Sequence, residues 1–140
     1  MRNQIPMLIC LLIIAFILIA GCSKYADPEL QITSNLTRIS DDAQSGNITY
    51  DVAIDVANTG NNNAYQVKIL ALLSTPKSES EYRFSSRTID VGDIEKKTKK
   101  TFTERMTLPA TKLHYERIMS GVENPEIETK LTSVTSNVMG

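Results

Sequence analysis

From Ile48 to Ala57 the chain alternates between two kinds of residue. Tyr50, Val52, Ile54 and Val56 share one parity; Asp51, Ala53, Asp55 and Ala57 share the other. A period of two with acids on one side predicts a β-strand with a buried and a wet face, as in a half-exposed antiparallel sheet. Its predicted core residues are Val52, Ile54 and Val56; Asp51 and Asp55 are predicted to be exposed. Ala64 to Leu73 is richer: Tyr65, Val67, Ile69, Ala71 and Leu73 form one face, while the other passes from Gln66 and Lys68 to Leu70 and Leu72. This predicts a central strand with Val67 and Ile69 in the core, Lys68 exposed, and its far end covered on both sides. Weaker alternation predicts further strands at Leu30 to Thr37, at Arg87 to Ile94, at Thr101 to Leu108 and at Ile127 to Val134, with a possible short one at Tyr82-Arg83-Phe84. Between them Gly46-Asn47, Asn58 to Asn63, Pro76 and Gly92-Asp93 are turn and loop signals.

Two strands break the simple pattern. Glu104 shares the parity of Phe102, Met106 and Leu108, so it lies at a sheet edge or a bulge shifts the register. In the last strand Ile127, Thr129 and Leu131 share a face and Val134 falls on the other. One segment has helical spacing instead: after Pro109, Thr111 can cap a short helix in which Tyr115, Ile118, Met119 and Val122 fall at i, i+3, i+4 and i+7, with Gly121 at its stop. Many short strands separated by turns predict an all-β sandwich or barrel.

The N-terminus is different. An apolar run from Met7 to Ala20 follows Arg2 and ends in the small residues Ala20-Gly21 before Cys22. It is short for a bilayer span, which takes about 20 apolar residues, and has the layout of a secretory signal. The segment Ile19-Ala20-Gly21-Cys22 resembles the lipobox of prokaryotic lipoproteins. The resemblance implies that the Cys22 thiol carries a diacylglyceryl group and that the chain is cut before it. Residues 1 to 21 are then a signal peptide, 22 to 29 a tether, and 30 to 140 the domain. The competing reading is an uncleaved anchor helix, which also places the domain outside the cytoplasm.

Charge and cysteine content narrow the class. Removal of residues 1 to 21 takes only Arg2 from 15 basic residues and none of 16 acidic ones, so net charge moves from −1 to −2. Such a surface has no long-range field to collect nucleic acid. Cys10 leaves with the signal, and Cys22 alone cannot form an intramolecular disulfide. The domain must stand on packing, and lipidation would protect an otherwise reactive thiol.

The stretch Val52-Ala53-Ile54-Asp55-Val56-Ala57-Asn58-Thr59-Gly60, followed by Ala64-Tyr65-Gln66-Val67-Lys68-Ile69, resembles a pattern of extracellular Ig-like modules. Ile89-Asp90-Val91-Gly92-Asp93-Ile94 and the strand ending Leu108-Pro109 extend the likeness over residues 48 to 109. The set is similar to CARDB-type domains of prokaryotic surface proteins. The resemblance implies an Ig-like sandwich fold; together with the strands, turns and helix read above, the expected architecture is an all-β, Ig-like antiparallel β-sandwich of about seven strands, with one short helix near the C-terminus and the N-terminal signal helix before it. The resemblance also implies a role in adhesion or interaction, and supplies no catalytic residues. The Asn61-Asn62-Asn63 insertion and the helix depart from the pattern.

Candidate chemistry is sparse. His114 is the only histidine, no HExxH or Cys/His cluster accompanies it, and it is expected on the surface of the helix. The pairs Asp51/Asp55 and Glu126/Glu128 read as solvated strand faces. Asp55 beside the Asn58 to Asn63 loop offers oxygens that could hold calcium, though the loop reads as an Asn-rich turn. Lys96, Lys97, Lys99 and Lys100 read as solubilising tip lysines, with lipid headgroups or an acidic partner as the alternative. Asn35-Leu36-Thr37 and Asn47-Ile48-Thr49 match the N-glycosylation sequon.

The expected function is a lipid-anchored, non-catalytic binding or structural module facing outside the cytoplasm, held to membrane lipid through Cys22. It needs no cofactor and no metal, contacts no nucleic acid, and docks an envelope or surface protein. The alternative is an accessory or small-ligand-binding lipoprotein of a transport system, which needs an enclosed pocket of a few hundred Å³. An enzyme would need a cleft holding His114 with a carboxylate and a hydroxyl.

Overall fold

A computed structural model describes residues 28–77 and 81–136. The signal segment, Cys22 and most of the tether lie outside the described residues. Six strands and one helix follow in the order β1 (Leu30–Asp42), β2 (Asn47–Asn58), β3 (Ala64–Ser74), β4 (Phe84–Ile94), β5 (Lys99–Pro109), α1 (Lys112–Met119) and β6 (Glu126–Thr135). They form two three-stranded antiparallel sheets, ordered β1-β2-β5 and β4-β3-β6. The all-β sandwich is as the alternation predicts. Six strands stand where about seven were expected among the described residues, because Phe84 opens β4 instead of closing a separate short strand.

The two central strands supply most of the core. Ile48, Val52, Ile54 and Val56 of β2 and Val67, Ile69, Ala71 and Leu73 of β3 are fully buried. Burying each large aliphatic side chain contributes about 1.5–3 kcal/mol. Lys68 is exposed as predicted, and β3 is central. Asp51 and Asp55 are half-covered instead of exposed. Each meets a cross-strand cation: Arg105 grips both oxygens of Asp51 at 2.9 and 3.2 Å, and Lys99 reaches Asp55 at 2.9 Å.

The irregular strands resolve in two different ways. β5 pairs with β2 without a bulge, from Asn47 opposite Pro109 to Ala57 opposite Lys99. Glu104 therefore points between the sheets from an edge strand, and there it meets Arg87 of β4 at 2.8 Å. β6 does carry a bulge: Leu131 sits opposite Ile69 and Ser133 opposite Lys68, leaving Thr132 extra. That extra residue turns Val134 back onto the core, correcting its expected outward position.

The chain's reversals give the sandwich two distinct poles. At one lie Glu29, the β2–β3 loop, the β4–β5 turn and the end of β6. Asn58 pins this pole: its buried amide donates to the carbonyls of Asn62 and Ile94 and accepts from Gly60 N–H. At the other lie the β1–β2 turn, the β3–β4 loop and α1. Gly46 there has φ +74° and lies against the Ala110 carbonyl.

Candidate functional site

The helix-bearing pole is built from Thr111 onward. The Thr111 hydroxyl accepts from His114 N–H at 3.4 Å and caps α1, as the sequence predicts. The helix stops at Gly121 (φ +74°), where Gly121 N–H bonds Ile118 O and Val122 N–H bonds Arg117 O. This double closure is a Schellman motif, which favours glycine.

The face that α1 buries is not the expected one. His114 and Ile118 are buried; Tyr115 is half-buried, and Met119 and Val122 are exposed. His114 has 0% exposure, contrary to its predicted surface place. Its Nδ1 lies 2.8 and 3.0 Å from the two oxygens of Glu123, itself only 5% exposed. Arg117 Nε stands 3.6 Å from Glu123 Oε2. A polar ring tolerates burial when its polar atoms are paired, and Glu123 provides that partner where the chain folds back after Gly121. Glu123 carried no signal in the sequence beyond following a helix stop, and Arg117 none beyond its place in the last turn of the helix.

Two more contacts fasten α1 to the end of β1. The Tyr115 hydroxyl donates to Asp41 at 2.6 Å, which holds its pKa above the ordinary phenol value. Arg38 Nη1 reaches Met119 Sδ at 3.0 Å. The exposed large hydrophobics of the described residues lie toward this same pole: Ile39, Phe84, Leu113, Met119 and Val122, the last 71% exposed. Tyr82 stacks on Phe84 with ring centroids 5.7 Å apart.

The other candidates go to different places. Both oxygens of Asp55 are taken, by Lys99 and Thr101, and among the described residues no cluster of three or more His, Cys, Asp or Glu could hold a metal. Asp51, Asp55 and Glu128 have lowered pKa values, caused first by hydrogen bonds from Arg105, Thr101 and Lys77 respectively. The tip lysines sit at the pole opposite α1. Lys97 donates to Thr59 O and Lys100 to Val91 O. Asn35 is exposed on β1, and Asn47 is half-buried at the start of β2. Two open depressions, of about 150 Å³ beside Thr33 and Asn35 and about 270 Å³ beside Asn61 and Tyr65, lie away from α1. Among the described residues no helix is long and apolar enough to cross a membrane.

No family model matches the chain, and no curated protein does. Among solved structures, a protein described as ApaA from Bordetella pertussis is 15% identical with a TM-score of 0.44, covering 59% of this chain and 70% of that one. A Northeast Structural Genomics Consortium target, SoR45, is 15% identical with a TM-score of 0.47, covering 61% and 66%.

Proposed function

We propose that the chain is a lipoprotein held to the outer side of a membrane through Cys22, and that its domain is a non-catalytic binding module of Ig-like type. The observation that carries the binding role is the gathering of exposed apolar side chains at one pole. Ile39, Phe84, Leu113, Met119 and Val122 all lie at the end away from Glu29, where the tether enters. Exposed apolar residues scattered singly are ordinary, whereas exposed apolar surface gathered in one place is typical of docking surfaces; that all five share one pole supports the second reading. The pinned helix presents that surface on a rigid base. His114 has a carboxylate and a hydroxyl nearby, but its ring is sealed under α1, which supports a structural role over catalysis.

The Ig-like assignment is supported by strand order. With β1, β2 and β5 in one sheet and β3 beside β6 in the other, the strands take the places of A, B, E, C and F in that architecture. The lipid anchor rests on Ile19 to Cys22. The eight residues from Cys22 to Glu29 reach at most about 28 Å when extended, so the domain stays close to its bilayer.

Two measurements test the proposal. Intact mass of the protein from native membranes should give a chain beginning at Cys22 and heavier by a diacylglyceryl group, a modification that Cys22→Ala abolishes. A photo-crosslinking residue at Val122 should give one discrete adduct in membranes, lost on Leu113→Asp, and the same group at Thr33 should give none. Retention of residues 1 to 21 would remove the anchor, and equal labelling at both positions would remove the binding surface.

A further inference from the structure

We infer that the free edge of β6 pairs with the same edge of a second copy of this chain, joining two β4-β3-β6 sheets into one. Among the described residues β6 pairs only with β3, and no strand lies on its other side. That side is where an Ig-like sandwich places a further strand.

The two open sides of the sandwich are built differently. Along β4 and β5 an ion pair, Arg87 with Glu104, points into the gap between the sheets. Inward charges of this kind block strand addition. Along β1 and β6 the inward residues are mostly apolar and only half-covered: Leu30, Ile32 and Leu36 on one strand and Ile127, Leu131 and Val134 on the other, with Ser34 and Thr129 between them. No residue of β1 or β6 is fully buried. β6 is regular from Glu126 to Leu131 and contains no proline; its register with β3 shifts only beyond Leu131, at Thr132 and again between Ser133 and Thr135.

The sequence of β6 selects its own copy as the partner. In an antiparallel pair related by a twofold axis, residues facing each other must lie on the same side of the sheet, so the axis passes through a residue. With the axis at Thr129, Glu128 of each copy faces Lys130 of the other, and Ile127 faces Leu131. Opposite charges and apolar pairs across strands are both favourable. The neighbouring centres are worse, the one at Leu131 because it runs into the bulge at Thr132. An axis at Glu128 sets Glu128 against itself, one at Lys130 sets Lys130 against itself, and one at Ile127 sets Glu126 against Glu128 twice. Glu128 and Lys130 are exposed, and Lys77, 2.6 Å from Glu128, is an exposed cation beside the same row. Antiparallel pairing puts the two tether ends at opposite ends of the dimer, so two anchored copies lie along the membrane with both helix poles uncovered.

The test is the mass of the full chain in detergent by sedimentation velocity, with light scattering as a check. The unaltered chain should run as a dimer. Lys130→Glu and Glu128→Lys each reverse two cross-strand pairs and should weaken association by about tenfold or more. The double variant Glu128→Lys/Lys130→Glu restores opposite charges and should restore the dimer. Circular dichroism identical to the unaltered chain shows that these exposed changes leave the fold intact. A chain that stays monomeric at about 100 µM overturns the proposal, as does a charge swap that fails to rescue. So does an edge whose β6 amides gain exchange protection only in native envelopes, since that assigns it to a foreign strand.

Discussion

Replacing His114 by leucine should destabilise the domain far more than its place on an eight-residue surface helix suggests. The substitution leaves Glu123, only 5% exposed, without the ring nitrogen that lies 2.8 and 3.0 Å from its oxygens. Leaving a buried acidic side chain without its partner costs about 3–5 kcal/mol. Arg117 Nε remains 3.6 Å from Glu123 Oε2, so the lower end, about 3 kcal/mol, is the expected loss. Glu123→Gln keeps an acceptor for the ring N–H and should cost only about 1 kcal/mol. The assay is urea unfolding of the domain from Ser23 onward, followed by far-ultraviolet circular dichroism. With a slope near 1.5 kcal/mol per molar, His114→Leu should lower the midpoint by about 2 M and Glu123→Gln by less than about 1 M. A double-mutant cycle between the two positions should give a coupling of about 1–3 kcal/mol. A midpoint shift below about 0.5 M for His114→Leu would refute the view that this pair fastens the pole.

Three further outcomes are expected. Gly46→Ala should lower the melting temperature more than Gly121→Ala, although both glycines have φ +74°. At Gly46 a Cβ would sit 2.6 Å from the Ala110 carbonyl oxygen, whereas at Gly121 nothing lies within 4 Å, so the latter loses only about 1 kcal/mol of backbone preference. Ile54→Ala, at a position with no exposure, should cost about 2–5 kcal/mol in the same urea assay. Stability should fall in acid: Asp51, Asp55 and Glu128 have folded pKa values below their unfolded ones, so their contribution is present above the ordinary carboxylate range and disappears as pH drops through the folded values. Carboxyl titration by NMR checks those three directly, and Asp51→Asn should flatten the acid limb of the stability curve.

The sheets were legible because their signal is local. Strict alternation in Ile48 to Ala57 needs only one neighbouring layer to be realised, and Val52, Ile54 and Val56 are buried as that alternation requires. The same rule failed wherever a distant residue decided the outcome. Asp51 lost part of its exposure to Arg105, 54 positions away, and Val134 returned to the core through a bulge at Thr132 set by pairing with β3. Glu104 could be read in two ways because its parity says only that it points inward. That it does so at an edge, beside Arg87, depends on the order β1-β2-β5.

The helix shows how a correct element can carry the wrong face. Thr111 and Gly121 fixed its ends through their own chemistry, and an apolar stripe from Tyr115 to Val122 was the natural choice for its buried side. The domain buried His114 with Ile118 instead. A hydrophobicity pattern weighs histidine as polar, but a histidine with a carboxylate partner is satisfied in the interior. Glu123 becomes that partner only after the chain has reversed at Gly121, so no helical spacing could reveal it. Burying the ring also has a consequence for the surface. With His114 and Ile118 turned inward, Met119 and Val122 are left in solvent at the same pole as Ile39 and Leu113. The exposed apolar pole therefore follows from the same choice of face that seals the histidine, and the contact between His114 and Glu123 holds that face in place.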